Sequence, residues 1–203
     1  SPTPNMSGAL GDGAWMTCME RNSDIVLLSC YAPLFVNVSQ LTGNGRSMQW
    51  SSDLIGYDAL TSYGSPAYHA QQMFSTMHGD EILATDAQNI PTRAWQRQGR
   101  GGAPAAAQQI REIFFDATRA AKSGVIYLKV VNTAGTAQRI NVQINGAKSV
   151  NARGEAVVLA GKALEDTNSI TEPNKVVPRT EKVDGLGADF VREFPAYSVT
   201  VLK

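Results

Sequence analysis

The chain has 203 residues and a formal net charge of zero, with 18 Lys and Arg against 18 Asp and Glu. A neutral balance argues against a dedicated nucleic-acid binder, which carries a basic excess to meet phosphates. A hydrophobic share of 43% with 18% charged residues excludes a disordered chain, and no run approaches the roughly 20 apolar residues of a membrane helix.

The length fits one large domain or two small ones. Charge divides the chain at Leu83: residues 1–83 carry net −5 and residues 84–203 net +5. All six Met also precede the division. Two segments of opposite charge would dock favourably.

In chain order, Leu10, Ala14, Trp15 and Met19 recur at helical spacing, which predicts a helix from Met6 through Met19. Ile25 to Cys30 is apolar without alternation, as in a strand covered on both faces. Pro33 sits where a helix could begin. Gly43-Asn44-Gly45 reads as a loop, and Leu54 to Tyr57 as a strand. Ser65-Pro66 has the form of an N-cap with a first-turn Pro, opening a helix that stops near Gly79.

Beyond Leu83 the pattern is mostly β. Ala105 to Gln109 favours helix by propensity and Ile113-Phe114-Phe115 favours strand; a strand over Ile113 to Thr118, hairpin-paired with the strand from Val125 to Asn132, is expected. Arg139 to Ile144 alternates as a half-buried antiparallel strand. Val157 to Leu159, Lys175 to Pro178, Phe190 to Phe194 and Tyr197 to Leu202 complete the set, with glycines between them at turn-like spacing. This pattern predicts a β-sandwich able to fold by itself.

Chemistry-bearing motifs are sparse. His69 and His78 are nine apart and form no zinc pattern, so they read as helix-surface histidines. No GxSxG, P-loop or GxGxxG occurs. Arg93, Arg97 and Arg100 around Trp95 read as a solvated loop. Cys18 and Cys30 read as two free buried thiols, and neither a metal nor a cofactor is called for. Glu20 and Asp24, four apart with Arg21 between them, read as a charge-balanced helix end rather than a glycosidase pair.

Longer strings carry more. Met16-Thr17-Cys18-Met19-Glu20-Arg21-Asn22-Ser23-Asp24 and Cys30-Tyr31-Ala32-Pro33-Leu34-Phe35-Val36-Asn37-Val38 closely resemble the last part of glycoside hydrolase family 51, the α-L-arabinofuranosidases. Trp50 to Asp58, Tyr63 to Tyr68, Tyr127 to Asn132, Asn174 to Pro178 and Phe194 to Leu202 extend the resemblance over nearly the whole chain. Cys18 departs from it, standing where the family suggests Gly. The resemblance implies an α+β chain: the last β/α elements of an incomplete (β/α)8 barrel in residues 1–83, then a jelly-roll-type antiparallel β-sandwich in residues 84–203. It further implies a retaining glycosidase that removes arabinofuranosyl groups from hemicellulose. The acid/base and nucleophile Glu residues belong to barrel strands 4 and 7, upstream of the matched region, so no catalytic residue is assigned here. Length agrees, since a whole barrel takes about 250 residues.

Trp50 and Asp53 are the candidate substrate-binding residues, Trp50 to stack on a sugar and Asp53 to hydrogen-bond its hydroxyls. Expected partners are an arabinose-containing polysaccharide or oligosaccharide in the complete enzyme, and either the missing N-terminal barrel portion or a second copy meeting residues 1–83; no nucleic acid or membrane is expected. The alternative is a stand-alone carbohydrate-binding or scaffold sandwich. A catalyst built on repurposed carboxylates such as Asp53 is a third reading.

Overall fold

A computed structural model describes residues 2–39, 52–96 and 106–203. In chain order the elements are α1 (Met6–Arg21), β1 (Phe35–Asn37), β2 (Ile55–Tyr57), β3 (Ser62–Gly64), α2 (Pro66–Thr76), β4 (Glu81–Ile82), β5 (Thr92–Trp95), β6 (Gln108–Arg111) and β7 (Ile113–Arg119). Then follow β8 (Ile126–Asn132), β9 (Gln138–Gln143), β10 (Arg153–Ala160), β11 (Arg179–Asp184), β12 (Asp189–Phe194) and β13 (Ser198–Leu202).

Both helices begin where their sequences dictate. Asn5 caps α1, its Oδ1 accepting from the Gly8 N–H at 3.2 Å. The Met6 and Ser7 N–H groups, which have no partner inside the helix, donate to the Asp166 and Leu164 carbonyls at 2.8 and 2.9 Å. Ser65 caps α2 by accepting from the Tyr68 N–H at 3.0 Å, with Pro66 in the first turn. Such a cap contributes about 1 kcal/mol.

The main sheet runs β11-β10-β13-β8-β7-β4, antiparallel throughout. Alternation sends its side chains to two different cores.

One face of that sheet carries Phe114, Tyr127, Val131, Val157, Leu159, Val199 and Val201, which meet Met6, Ala9, Leu10 and Met16 of α1 and Ala67, Ala70, Met73 and Phe74 of α2. The other face carries Ile113, Leu128, Val130, Ala156 and Leu202, covered by the antiparallel pair β12-β9 through Phe190, Phe194, Ile140 and Val142. The sheet is therefore sandwiched between a helical layer and a smaller sheet. Covering on both faces explains why β13 is buried at every position and why β8 reads as a nearly continuous apolar run. Two further small sheets stand apart: β1-β2-β3, with β1 parallel to β2, and the β5-β6 hairpin.

The hairpin expected over residues 113–132 is present, pairing Ile113 with Asn132 and Arg119 with Ile126. Three expected elements differ. Ile25 to Cys30 forms no strand: after a turn closed by Asn22, the segment runs without a ladder among the described residues, and Ile25, Leu27 and Leu28 are 75%, 86% and 86% exposed. An apolar strand needs neighbours to take its backbone groups, and no described strand pairs with it. The helix expected at Pro33 is replaced by β1, because the Leu34 carbonyl accepts from the Ile55 N–H and the Val38 N–H donates to the Tyr57 carbonyl. Lys175 to Pro178 is irregular because Asn168 takes both backbone groups of Val176, at 2.7 and 2.9 Å, leaving none for a ladder. The Gly43-Asn44-Gly45 loop lies outside the described residues.

Candidate functional site

Asp53 sits just before β2, with its backbone N–H donating to the Pro2 carbonyl at 3.2 Å. It is buried, and its Oδ2 has no hydrogen-bond partner among the described residues. Burial pushes its carboxyl above the usual carboxylate range. Tyr31 approaches the same place: its hydroxyl donates to the Ser52 carbonyl at 3.0 Å. Burial raises the Tyr31 phenol, and the nearby Asp12 and Asp53 charges add to the rise. Asp12, on α1, is also raised by burial, opposed by a hydrogen bond with Gln71 of α2. Asp53 is thus brought together with Tyr31 and Asp12, two residues that sequence reading did not single out as site residues. Trp50 and its position relative to Asp53 lie outside the described residues.

A second polar cluster lies between α1 and the main sheet. The Lys129 ammonium, on β8, is fully buried and pairs with both carboxylate oxygens of Glu20 on α1. It also stands 4.7 Å from the centre of the Phe74 ring of α2. Asp116 is the cross-strand neighbour of Lys129, fully buried, with neither oxygen hydrogen-bonded among the described residues. Arg21 donates to the Phe115 carbonyl beside it. Glu20 is therefore the anchor of α1 on the sheet, a more specific role than balancing charge at a helix end. The signal was in the sequence: Asp116 and Lys129 are single opposite charges inside apolar strands, at positions the expected hairpin sets face to face.

The remaining candidates do not converge. His69 is half-buried and held below the usual histidine range by burial, opposed by Gln72, while His78 is exposed against the Gly79 carbonyl. Among the described residues no group of three or more His, Cys, Asp or Glu is placed to hold a metal ion. Both cysteines are free, but neither is fully buried: Cys18 is half-buried on α1, and Cys30 is exposed because the covered strand expected over Ile25 to Cys30 does not form. Arg93 and Trp95 lie on exposed β5, with Arg93 paired to Glu112 at 3.9 Å; Arg97 and Arg100 lie outside the described residues.

The described residues thus form an antiparallel sandwich backed by two helices, with two buried polar clusters at the helix side. The sequence profile of the alpha-L-arabinofuranosidase C-terminal domain matches residues 2–198, and the chain belongs to that family. A probable alpha-L-arabinofuranosidase A of Aspergillus terreus is 30% identical over 203 residues, covering 99% of this chain and 27% of the relative. Among solved structures, an arabinose-bound GH51 α-L-arabinofuranosidase superposes with a TM-score of 0.80 at 32% identity, over 99% of this chain and 28% of that one. The GH51 α-L-arabinofuranosidase of Thermotoga petrophila shares the fold, with a TM-score of 0.76 at 18% identity over 100% of this chain and 38% of that one. The chain thus spans about a quarter of the length of the curated relatives it matches.

Proposed function

We propose that the chain works as the C-terminal part of an α-L-arabinofuranosidase acting with retention on arabinose-substituted hemicellulose or arabinan. It is inactive alone, because both catalytic Glu residues belong to upstream sequence. Residues 1–83 are then the end of the catalytic (β/α)8 barrel and residues 84–203 the sandwich. Trp50 and Asp53 serve on the substrate side. The free, buried Oδ2 of Asp53 among the described residues supports an acceptor role toward a sugar hydroxyl.

The observation that carries this reading is the bare apolar run. Ile25, Leu27 and Leu28 stand exposed in a segment with strand composition and no ladder among the described residues, followed in the chain by a parallel β1-β2 pair of the kind found in covered α/β sheets. Trp15 and Phe35 add exposed rings. Each such side chain gains about 1.5–3 kcal/mol on full burial, so the surface is built to be covered. Molecular mass in solution, followed across dilution, tests this. Self-association or a co-purifying barrel portion is the expected result. A strictly monomeric species with no associated polypeptide would favour the stand-alone sandwich instead.

A further inference from the structure

We propose that Asp116, Glu20 and Lys129 form a proton-dependent latch, which fastens α1 to the sheet while Asp116 is protonated and loosens it when Asp116 ionises. The latch stands apart from the catalytic reading and needs no upstream sequence.

The geometry leaves few alternatives. Two carboxyl groups and one ammonium meet in a site where Lys129 and Asp116 are fully buried. Lys129 is committed to Glu20, whose two oxygens both receive its ammonium. No described donor reaches either oxygen of Asp116, and its acidic neighbour Glu20 can only accept when ionised. A second buried anion beside Glu20 would be desolvated and repelled together. A proton on Asp116 removes both costs and lets its hydroxyl donate to Glu20. Burial, then the hydrogen bond and charge of Glu20, lift Asp116 to about 9, opposed by Lys129 and Arg21.

The charged groups around Asp116 come from every packed element. α1 brings Glu20 and Arg21, and β8 brings Lys129. α2 brings the Phe74 ring beneath Lys129. The segment after α2 places His78 and Asp80 at the Thr118–Arg119 end of β7. Of these, Glu20 is the anion to which a protonated Asp116 would donate.

The sign follows from linkage. An acid whose folded pKa exceeds its unfolded one binds its proton more tightly when folded. Its contribution to stability is complete below the ordinary value of 3.8 and is lost as pH rises through about 9. The linkage thereby favours the folded state most at acidic pH and progressively less towards about pH 9. Alkaline pH places two anions under α1.

Urea unfolding of the 203-residue chain and its Asp116→Asn variant, from pH 5 to pH 10, tests the latch. The ratio of the two folding constants should change by up to about tenfold per pH unit up to pH 9 and level off above it. The variant gains relative to wild type as pH rises, because the amide never ionises. Parallel pH curves would overturn the proposal. A readout on α1 itself needs no variant: the labelling rate of Cys18, on α1, relative to exposed Cys30 should rise in wild type above about pH 9. A ratio constant through that range would equally overturn it.

Discussion

Lys129→Met is expected to cost about 3–5 kcal/mol, the loss typical of breaking a buried ion pair from one side. Glu20 keeps some contact with water, its side chain being 22% exposed, so the lower part of that range applies to the stranded carboxylate. Loss of the ammonium from the Phe74 ring adds to it. Against a total stability of about 5–15 kcal/mol for a domain, this is a large fraction of what keeps the chain folded. Glu20→Gln should cost less, because Asp116 can surrender its proton and take over as the partner of Lys129. Replacing all three together (Glu20→Gln, Asp116→Asn, Lys129→Met) should recover part of the loss, since no stranded charge remains. Urea midpoints at constant slope measure the series. A Lys129→Met midpoint equal to wild type would show that the pair contributes nothing to holding α1.

Residues 84–203 expressed without the preceding segment should show no cooperative unfolding transition and should aggregate. Sequence alone suggested the reverse, because the strands suffice for two sheets. The structure shows what those strands lack: Val131, Leu159, Val199 and Val201 are fully buried by α1 and α2, and β4 closes one edge of the sheet. Exposing four such side chains forfeits about 6–12 kcal/mol, comparable with the whole stability of a domain. The same truncation strips Lys129 of Glu20. A sharp transition in the truncated chain, seen by calorimetry or by urea unfolding, would contradict this and show that the sheet tolerates water on its helical face.

Local chemistry was legible wherever the partner of a residue lies close in the chain. Ser65-Pro66 caps α2 through a residue three positions away, and the β7-β8 hairpin follows from two apolar runs and a short turn. Leu54 to Tyr57 was legible for the same reason, its antiparallel partner β3 following within a few residues. The terminal strand was legible from its own apolar run, although its partners β8 and β10 are distant in the chain. Ile25 to Cys30 was misread because its pattern reports an environment that the described residues do not supply. Val176 was misread because Asn168, not a neighbouring strand, claims its backbone. The opposed charges of Asp116 and Lys129 could have been found from the hairpin register alone. Glu20, which lies 109 residues from Lys129, could not. The gathering of Asp12, Tyr31 and Asp53 likewise depends on how α1 meets the segment before β2.

Hydrolysis of an aryl α-L-arabinofuranoside tests the central claim most directly, with the pure 203-residue chain assayed alone and after joining to the upstream part of a family 51 arabinofuranosidase. No turnover by the chain alone, with turnover restored in the joined protein, is the expected result. Turnover by the chain alone, abolished by Asp53→Asn, would contradict the account and make Asp53 a catalytic carboxylate.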